Sequence, residues 1–453
     1  MLFQLPIFFA FLAVLIVAMM ICPRRHVLPL VLVASLFFYA WWYPPYVLLL
    51  VGLIAMSWAL TRIVRARRRL LPLAVGIALS PLLLFKYGDF VLANIEATTG
   101  FDPGRLGWLL PLGISFVTFT IISLIVDAVR RTDPLPSALD IAVYVSFFPH
   151  LIAGPILRSH QLIPQLPDLR LRWDRAAPAL TLFAAGMLKK VLIADPVGAT
   201  VDQLFAASAV LSPAEAALAM LGFAVQIYCD FSAYSDMAIA LAAFFGIQFP
   251  ENFRSPYLST CMSEIWRRWH ITLSTWLRDY VMVPLHRRLR HAAPHAAIFL
   301  TMVVSGLWHG AAWTFVVWGA VQGVILTIEA KTDFNKTAMR QTGLHRVALI
   351  ASTFILWAMT TTIFRASSFT EALQVYRGLL AFDRPFSFPD SGLLTLALCG
   401  ALLVLHPWDQ VDRIQGFGAR LPAPLVIPLG LTVVLACSLI AAGRPQAFYY
   451  FDF

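Results

Sequence analysis

Apolar stretches of roughly 17 to 25 residues, the length a helix needs to cross about 30 Å of hydrocarbon, recur along this 453-residue chain from one end to the other. Backbone amides in a bilayer core must be satisfied within their own segment, so such runs fold as helices. About eleven are counted, two or three of them broken or re-entrant. Composition agrees: 60% of residues are hydrophobic, mean hydropathy is +0.77 and 13% are charged, against roughly 25% in soluble domains. The chain is predicted to be an all-α polytopic integral membrane protein.

The first segment, 2–21, has no basic leader and ends in Cys22-Pro23-Arg24-Arg25 rather than at a small-residue cleavage site, so a retained transmembrane helix is expected. Five scattered cysteines (Cys22, Cys229, Cys261, Cys399, Cys437) form neither a metal spacing nor a disulfide framework. Arginines follow the first, third and fifth segments (Arg24 and Arg25; Arg62, Arg65 and Arg67 to Arg69; Arg130 and Arg131), whereas the second and fourth connections carry almost none. By the positive-inside rule both termini face outward. Helix parity between 133 and 250 stays open, because 141–156 holds Pro149, His150, Gly154 and Pro155.

Most of the formal +10 charge lies in the loops so assigned to the inside, where topology and anionic lipid account for it. No basic patch interleaved with polar sequence suggests nucleic acid. With no internal repeat and no soluble linker, 1–453 is read as one membrane domain.

Two histidines stand out. His309 follows Ser305-Gly306-Leu307-Trp308 and precedes Gly310, inside the apolar stretch 296–328. It lies roughly 20 Å along a helix from Ala296 at 1.5 Å per residue, walled by Trp308 and Trp313. An ionisable ring at that depth marks either a functional path or a hydrogen-bonded core position. The second, His270, lies in 251–291. At 100° per residue, Trp266, Trp269, Leu273, Trp276, Leu277 and Tyr280 fall on one arc, with Arg267, Arg268 and Arg278 away from it. That pattern predicts an amphipathic helix in the membrane interface with His270 at the edge of its aromatic face.

The chain resembles the membrane-bound O-acyltransferases, and within them the branch of alginate O-acetyltransferase and peptidoglycan O-acetyltransferase membrane subunits. The likeness covers nearly the whole chain. It rests on Phe148-Pro149-His150-Leu151-Ile152-Ala153-Gly154-Pro155-Ile156, on the run from Tyr228 to Asp236 (YCDFSAYSD), on Asn252-Phe253-Arg254-Ser255-Pro256-Tyr257, on WRRWH ending at His270 with the following LSTWLRDY, and on SGLWHG around His309.

The resemblance implies a ring of tilted helices around a central funnel, with re-entrant and interfacial helices, in a bacterial inner membrane. An acyl donor would enter from the cytoplasm and an acceptor approach from outside. His309 matches the family's essential histidine, in a hairpin at 296–330, and His270 its second active-site histidine. Acyl transfer from a thioester to a hydroxyl needs a base and a group that stabilises the oxyanion, and imidazole titrates near working pH. The expected roles are general base for His309 and positioning or polarisation of the thioester carbonyl for His270.

Acetyl-CoA is the expected substrate, with no cofactor and no metal. Arg267 and Arg268, with Lys189 and Lys190, would attract that polyanion, or serve only topology and lipid. Asp230 and Asp236 are expected to form a polar knot in the funnel wall, alongside Ser305 and Trp308 in the structural set. In the tail 444–453, Tyr450 resembles the tyrosine of the terminal aromatic motif in the small partner of teichoic acid D-alanylation. It is read either as an acyl relay to an extracytoplasmic SGNH-type acetyltransferase or as an interface anchor.

Two departures stand against the likeness. Trp318-Gly319-Ala320-Val321-Gln322-Gly323 carries no third histidine, and Pro284-Leu285-His286-Arg287-Arg288 replaces the usual Pro-Leu-Gly-Gly. Other readings are D-alanyl transfer from a carrier protein, a proton-coupled transporter, a haem-binding carrier and a non-catalytic scaffold of an export complex. A transporter usually shows paired broken helices in repeated halves, which this sequence lacks. The acceptor, an alginate-like or other envelope glycan, has no recognisable binding residue.

Overall fold

The computed structural model describes residues 1–291, 293, 295–443, 446, 448 and 449, and among these there is helix but no strand. Among the described residues, seven helices are long and apolar enough to cross a membrane, or eight if the bent pair Gly392–Trp408 and Val411–Arg420 forms one span. That is below the expected count of about eleven because several apolar runs fold shorter, such as Pro6–Ile21 with 16 residues and Ala296–His309 with 14.

The described residues divide into two compact units, Met1–Phe183 with Met237–Pro250 and the segment from Ala423 onward, and Ala184–Asp236 with Glu251–Pro422. In the first unit, an aromatic core forms where Pro6–Ile21 and Arg24–Ala40 meet the segment after Ala138–Ser146. Phe3 packs on Phe8 at 4.8 Å between ring centroids, and Phe148 on both Phe11 and Phe38 at 5.4 Å. His150, within the matched Phe-Pro-His motif, is buried and donates from Nε2 to the Tyr144 carbonyl at 3.0 Å, so its proton is used in holding a helix break.

Of the described helices of the second unit, six carry the residues of its site: α1 (Pro213–Phe244), α2 (Met262–Arg268), α3 (Ile271–Leu277), α4 (Ala296–His309), α5 (Trp313–Lys331) and α6 (Gly343–Arg365). The residues of α1 beyond Asp236 belong to the first unit. A reciprocal cap starts α1: Ser212 Oγ accepts from Glu215 N, and the Glu215 carboxylate accepts from Ser212 N at 2.9 Å, which satisfies two otherwise orphaned amides. Helices α4 and α5 form a close hairpin because glycines face each other. A Cβ on Gly306 would run into the Phe315 carbonyl and come within 3.0 Å of Gly319 Cα. Small residues permit such approach between membrane helices. Gly306→Ala is therefore expected to destabilise the hairpin by roughly 1 to 3 kcal/mol, the usual range for overpacking. Thermal unfolding in detergent would read it, and an unchanged midpoint would mean that the hairpin opens without loss.

Candidate active site

The amphipathic helix expected across 264–280 does not run through. It stops after Arg268 and restarts at Ile271, with His270 between at φ 42° and ψ 53°. A left-handed conformation is unfavourable for a residue with a Cβ, so neighbours have to hold it. Arg254 N donates to the Arg268 carbonyl and Ile271 N to the Asn252 carbonyl, each at 2.9 Å, pinning the chain on both sides of the break. From α5, the Glu329 carboxylate accepts from Met262 N at 2.9 Å and from Ser263 N at 2.8 Å, capping the start of α2.

The aromatic arc of this region is packed into protein. Trp266, Trp269, Leu273, Trp276 and Leu277 are all buried. Trp269 packs at a tilt against Trp357 with ring centroids 5.0 Å apart, and Trp266 donates from Nε1 to Gln322 Oε1 at 3.2 Å, while Gln322 Nε2 donates to Thr360 Oγ1 at 2.9 Å. The expected interfacial stripe is thus an internal face, and His270 is 0% exposed rather than at its edge.

His309 is the last residue of α4 and is 2% exposed. Its ring lies 4.9 Å from that of Trp308, 5.3 Å from Trp318 and 5.1 Å from Phe364. Trp313, expected to wall it in, is 54% exposed; Trp318 and Phe364 do so instead. The His270 ring lies 4.6 Å from Phe231 and 6.0 Å from Trp308. Trp308 therefore neighbours both histidines and joins them in one buried aromatic cluster. The Ser305 hydroxyl and the Trp318 indole N–H are buried there with no hydrogen-bond partner among the described residues.

The other anticipated residues separate into distinct settings. Arg267 is exposed; Arg268 pairs with Glu264 at 2.8 Å, which offsets its charge. Lys189 and Lys190, expected at an open mouth, are buried in a six-residue π-helical segment, Lys189–Ala194. Lys189 binds Asp236 at 2.6 Å and Asp409 at 2.9 Å, and Lys190 binds Asp230 at 2.6 Å and Asp195 at 2.8 Å. Tyr228 donates its hydroxyl proton to Asp409 at 2.7 Å. Tyr450 lies outside the described residues.

Sequence reasoning missed the parts played by Asn252, His406 and Asp409. Asn252 sits in a quoted motif, 18 residues before His270, yet only the fold brings it to that ring. His406, in the last turn before it, and Asp409, within it, lie at a 76° bend between Gly392–Trp408 and Val411–Arg420. There His406 Nε2 accepts from Tyr257 N at 3.0 Å, and Val411 N donates to Glu251 at 3.1 Å. The bend thereby clamps the 251–257 segment that carries Asn252. A break in an apolar run holding His, Pro and Asp was the available signal.

Residues 102–369, which include both site histidines, match the model of the membrane-bound O-acyltransferase family. The "Probable alginate O-acetylase AlgI" of Pseudomonas aeruginosa is 40% identical over 387 residues, spanning 83% of this chain and 74% of that protein. The "Peptidoglycan O-acetyltransferase" of Helicobacter pylori is 33% identical over 423 residues, 84% of this chain and 80% of its own. A "Teichoic acid D-alanyltransferase" of Bacillus subtilis is more distant, 28% identical over 48% of this chain and 58% of its own. A buried histidine pair in an apolar, all-helical chain and these extended likenesses agree: the chain belongs to the membrane-bound O-acyltransferase family and is a membrane O-acyltransferase.

Proposed function

We propose that this protein moves an acetyl group from cytoplasmic acetyl-CoA across a bacterial inner membrane for O-acetylation of an extracytoplasmic polysaccharide, alginate-like or another envelope glycan. The observation that carries the reading is the pair of buried histidine rings with Trp308 against both. The names of the two long-matching relatives support acetyl as the group and a glycan as the acceptor.

In this reading a hydroxyl attacks the thioester carbonyl while His309 takes its proton. A C–O bond forms, the tetrahedral intermediate collapses, the C–S bond breaks, and the proton passes from His309 to the departing sulfur. The surrounding rings keep bulk water from competing as nucleophile. His270 holds a reactant beside the reacting carbon. Exposed Arg267 attracts the polyanionic donor; Arg268 contributes less because of Glu264, and Lys189 and Lys190 support the framework from their ion pairs. With both termini outside, Tyr450 would pass the acetyl group to a separate extracytoplasmic SGNH-type transferase.

The test is base-released acetate from surface polysaccharides of a strain lacking this chain, complemented with wild type or with His309→Ala. Restoration by wild type alone is the expected result. Equal acetate in all strains would overturn the reading and leave D-alanyl transfer as the next one to measure.

A further inference from the structure

Asn252 makes a set of contacts that determines which nitrogen of His270 carries the proton. Its Oδ1 accepts from Thr272 N at 3.2 Å and from Thr272 Oγ1 at 2.8 Å. A backbone amide can only donate, so that atom is the oxygen. Nδ2 then donates to Ser235 Oγ at 3.0 Å, consistent with the same orientation. His270 Nδ1 lies 3.1 Å from the same oxygen and has to be the donor. In the neutral ring the lone pair is therefore on Nε2.

We propose that Asn252 is a positioning residue that holds His270 as the Nδ1–H tautomer, so that Nε2 accepts a hydrogen bond from an O–H or N–H of a bound reactant. The proposal rests on the acyl-transfer reading for its reactants, but not for the tautomer. It changes the role expected of His270. A neutral imidazole with its only proton committed to Asn252 cannot polarise a thioester carbonyl by donation.

It can hold a group that donates, either a hydroxyl of the acceptor other than the one His309 deprotonates or an amide N–H of the donor's pantetheine arm. The left-handed backbone at His270, pinned through Asn252 O to Ile271 N, serves the same end. One asparagine sets the chain direction through its carbonyl and the ring through its side chain. Outer partners that orient histidines this way at metal sites typically matter by 10- to 100-fold.

The experiment pairs a spectrum with kinetics. Protein labelled with 15N-histidine in lipid bilayers is compared with His270→Gln by magic-angle-spinning NMR, and the difference is assigned to His270. An Nδ1-protonated, Nε2-bare ring is expected; an Nε2-protonated neutral ring overturns the proposal. In kinetics, Asn252→Ala is expected to lower turnover on the order of 10- to 100-fold.

Asn252→Asp keeps an acceptor for Nδ1–H but adds a negative charge that favours the protonated ring. Its acid limb is expected at higher pH than that of wild type; an unmoved limb would leave Asn252 with a merely structural role and defeat the proposal. A raised KM for the acyl donor assigns the held group to the pantetheine amide, and a raised KM for the acceptor assigns it to a neighbouring hydroxyl of the acceptor. Should His309→Ala retain full transfer while the spectrum shows the expected tautomer, the acyl-transfer mechanism fails and the Asn252 assignment stands.

Discussion

Replacement of His309 by alanine is expected to lower acyl transfer by roughly 10² to 10⁴, the contribution of a positioned general base, while the protein still inserts and folds. The ring sits at the end of α4 against Trp308, Trp318 and Phe364. Truncation removes packing as well as a base, so His309→Gln is the necessary companion: it retains much of the volume but cannot take the proton. Both variants should be comparably inactive in membranes supplied with labelled acetyl-CoA and acceptor, with near-normal amounts of protein. Full transfer by either would show that the hydroxyl proton leaves by another route, with His270 the first alternative.

The second large effect concerns stability. Lys190 lies between Asp195 and Asp230, with side-chain exposures of 2% for the lysine and 4% for Asp230. Lys190→Met leaves two carboxylates facing each other in a buried site without their cation, a change that typically costs about 3 to 5 kcal/mol. A large drop in the thermal midpoint and in detergent-extractable protein is the expected outcome. Adding Asp230→Asn should recover part of it, since one of the uncompensated charges is then removed, and measuring both variants separates lost ion pairing from lost packing. If Lys190→Met matched the wild type in stability while raising the donor KM, the lysine would be a donor-binding residue after all.

Much of the fold was legible because membrane helices are specified locally. Apolar runs of sufficient length have to become helices where no water can satisfy the backbone, so the all-helical membrane character followed from hydropathy alone. The count did not, because a run can be divided by a break whose cause is distant. Gly306 and Gly319 were visible as small residues, but only the hairpin shows that they face each other.

The histidines illustrate the division most directly. Their spacing and surrounding motifs picked out His270 and His309 and the family they resemble. Helical periodicity then placed His270 on a continuous interfacial helix, which the structure replaces with a left-handed break. Periodicity describes a helix that continues; it contains no term for a carbonyl from Asn252 or a carboxylate from Glu329 that stops and restarts one. The same limit explains the lysines. Composition marked Lys189 and Lys190 as cations and therefore as candidates for an anionic donor, whereas Asp230 and Asp236 of α1 and the distant Asp409 reach them only after folding, joining the nearby Asp195.

What the sequence determined by itself was the solvent this chain folds in, the helices that follow from it, and the two histidines that the proposed mechanism uses. Tertiary structure decided which rings wall those imidazoles, where the helix before His270 ends, and which nitrogen of His270 keeps its proton. Local propensity acts over one or two turns of chain, while burial, left-handed strain and hydrogen-bond pairing depend on groups that sequence separation alone does not bring together.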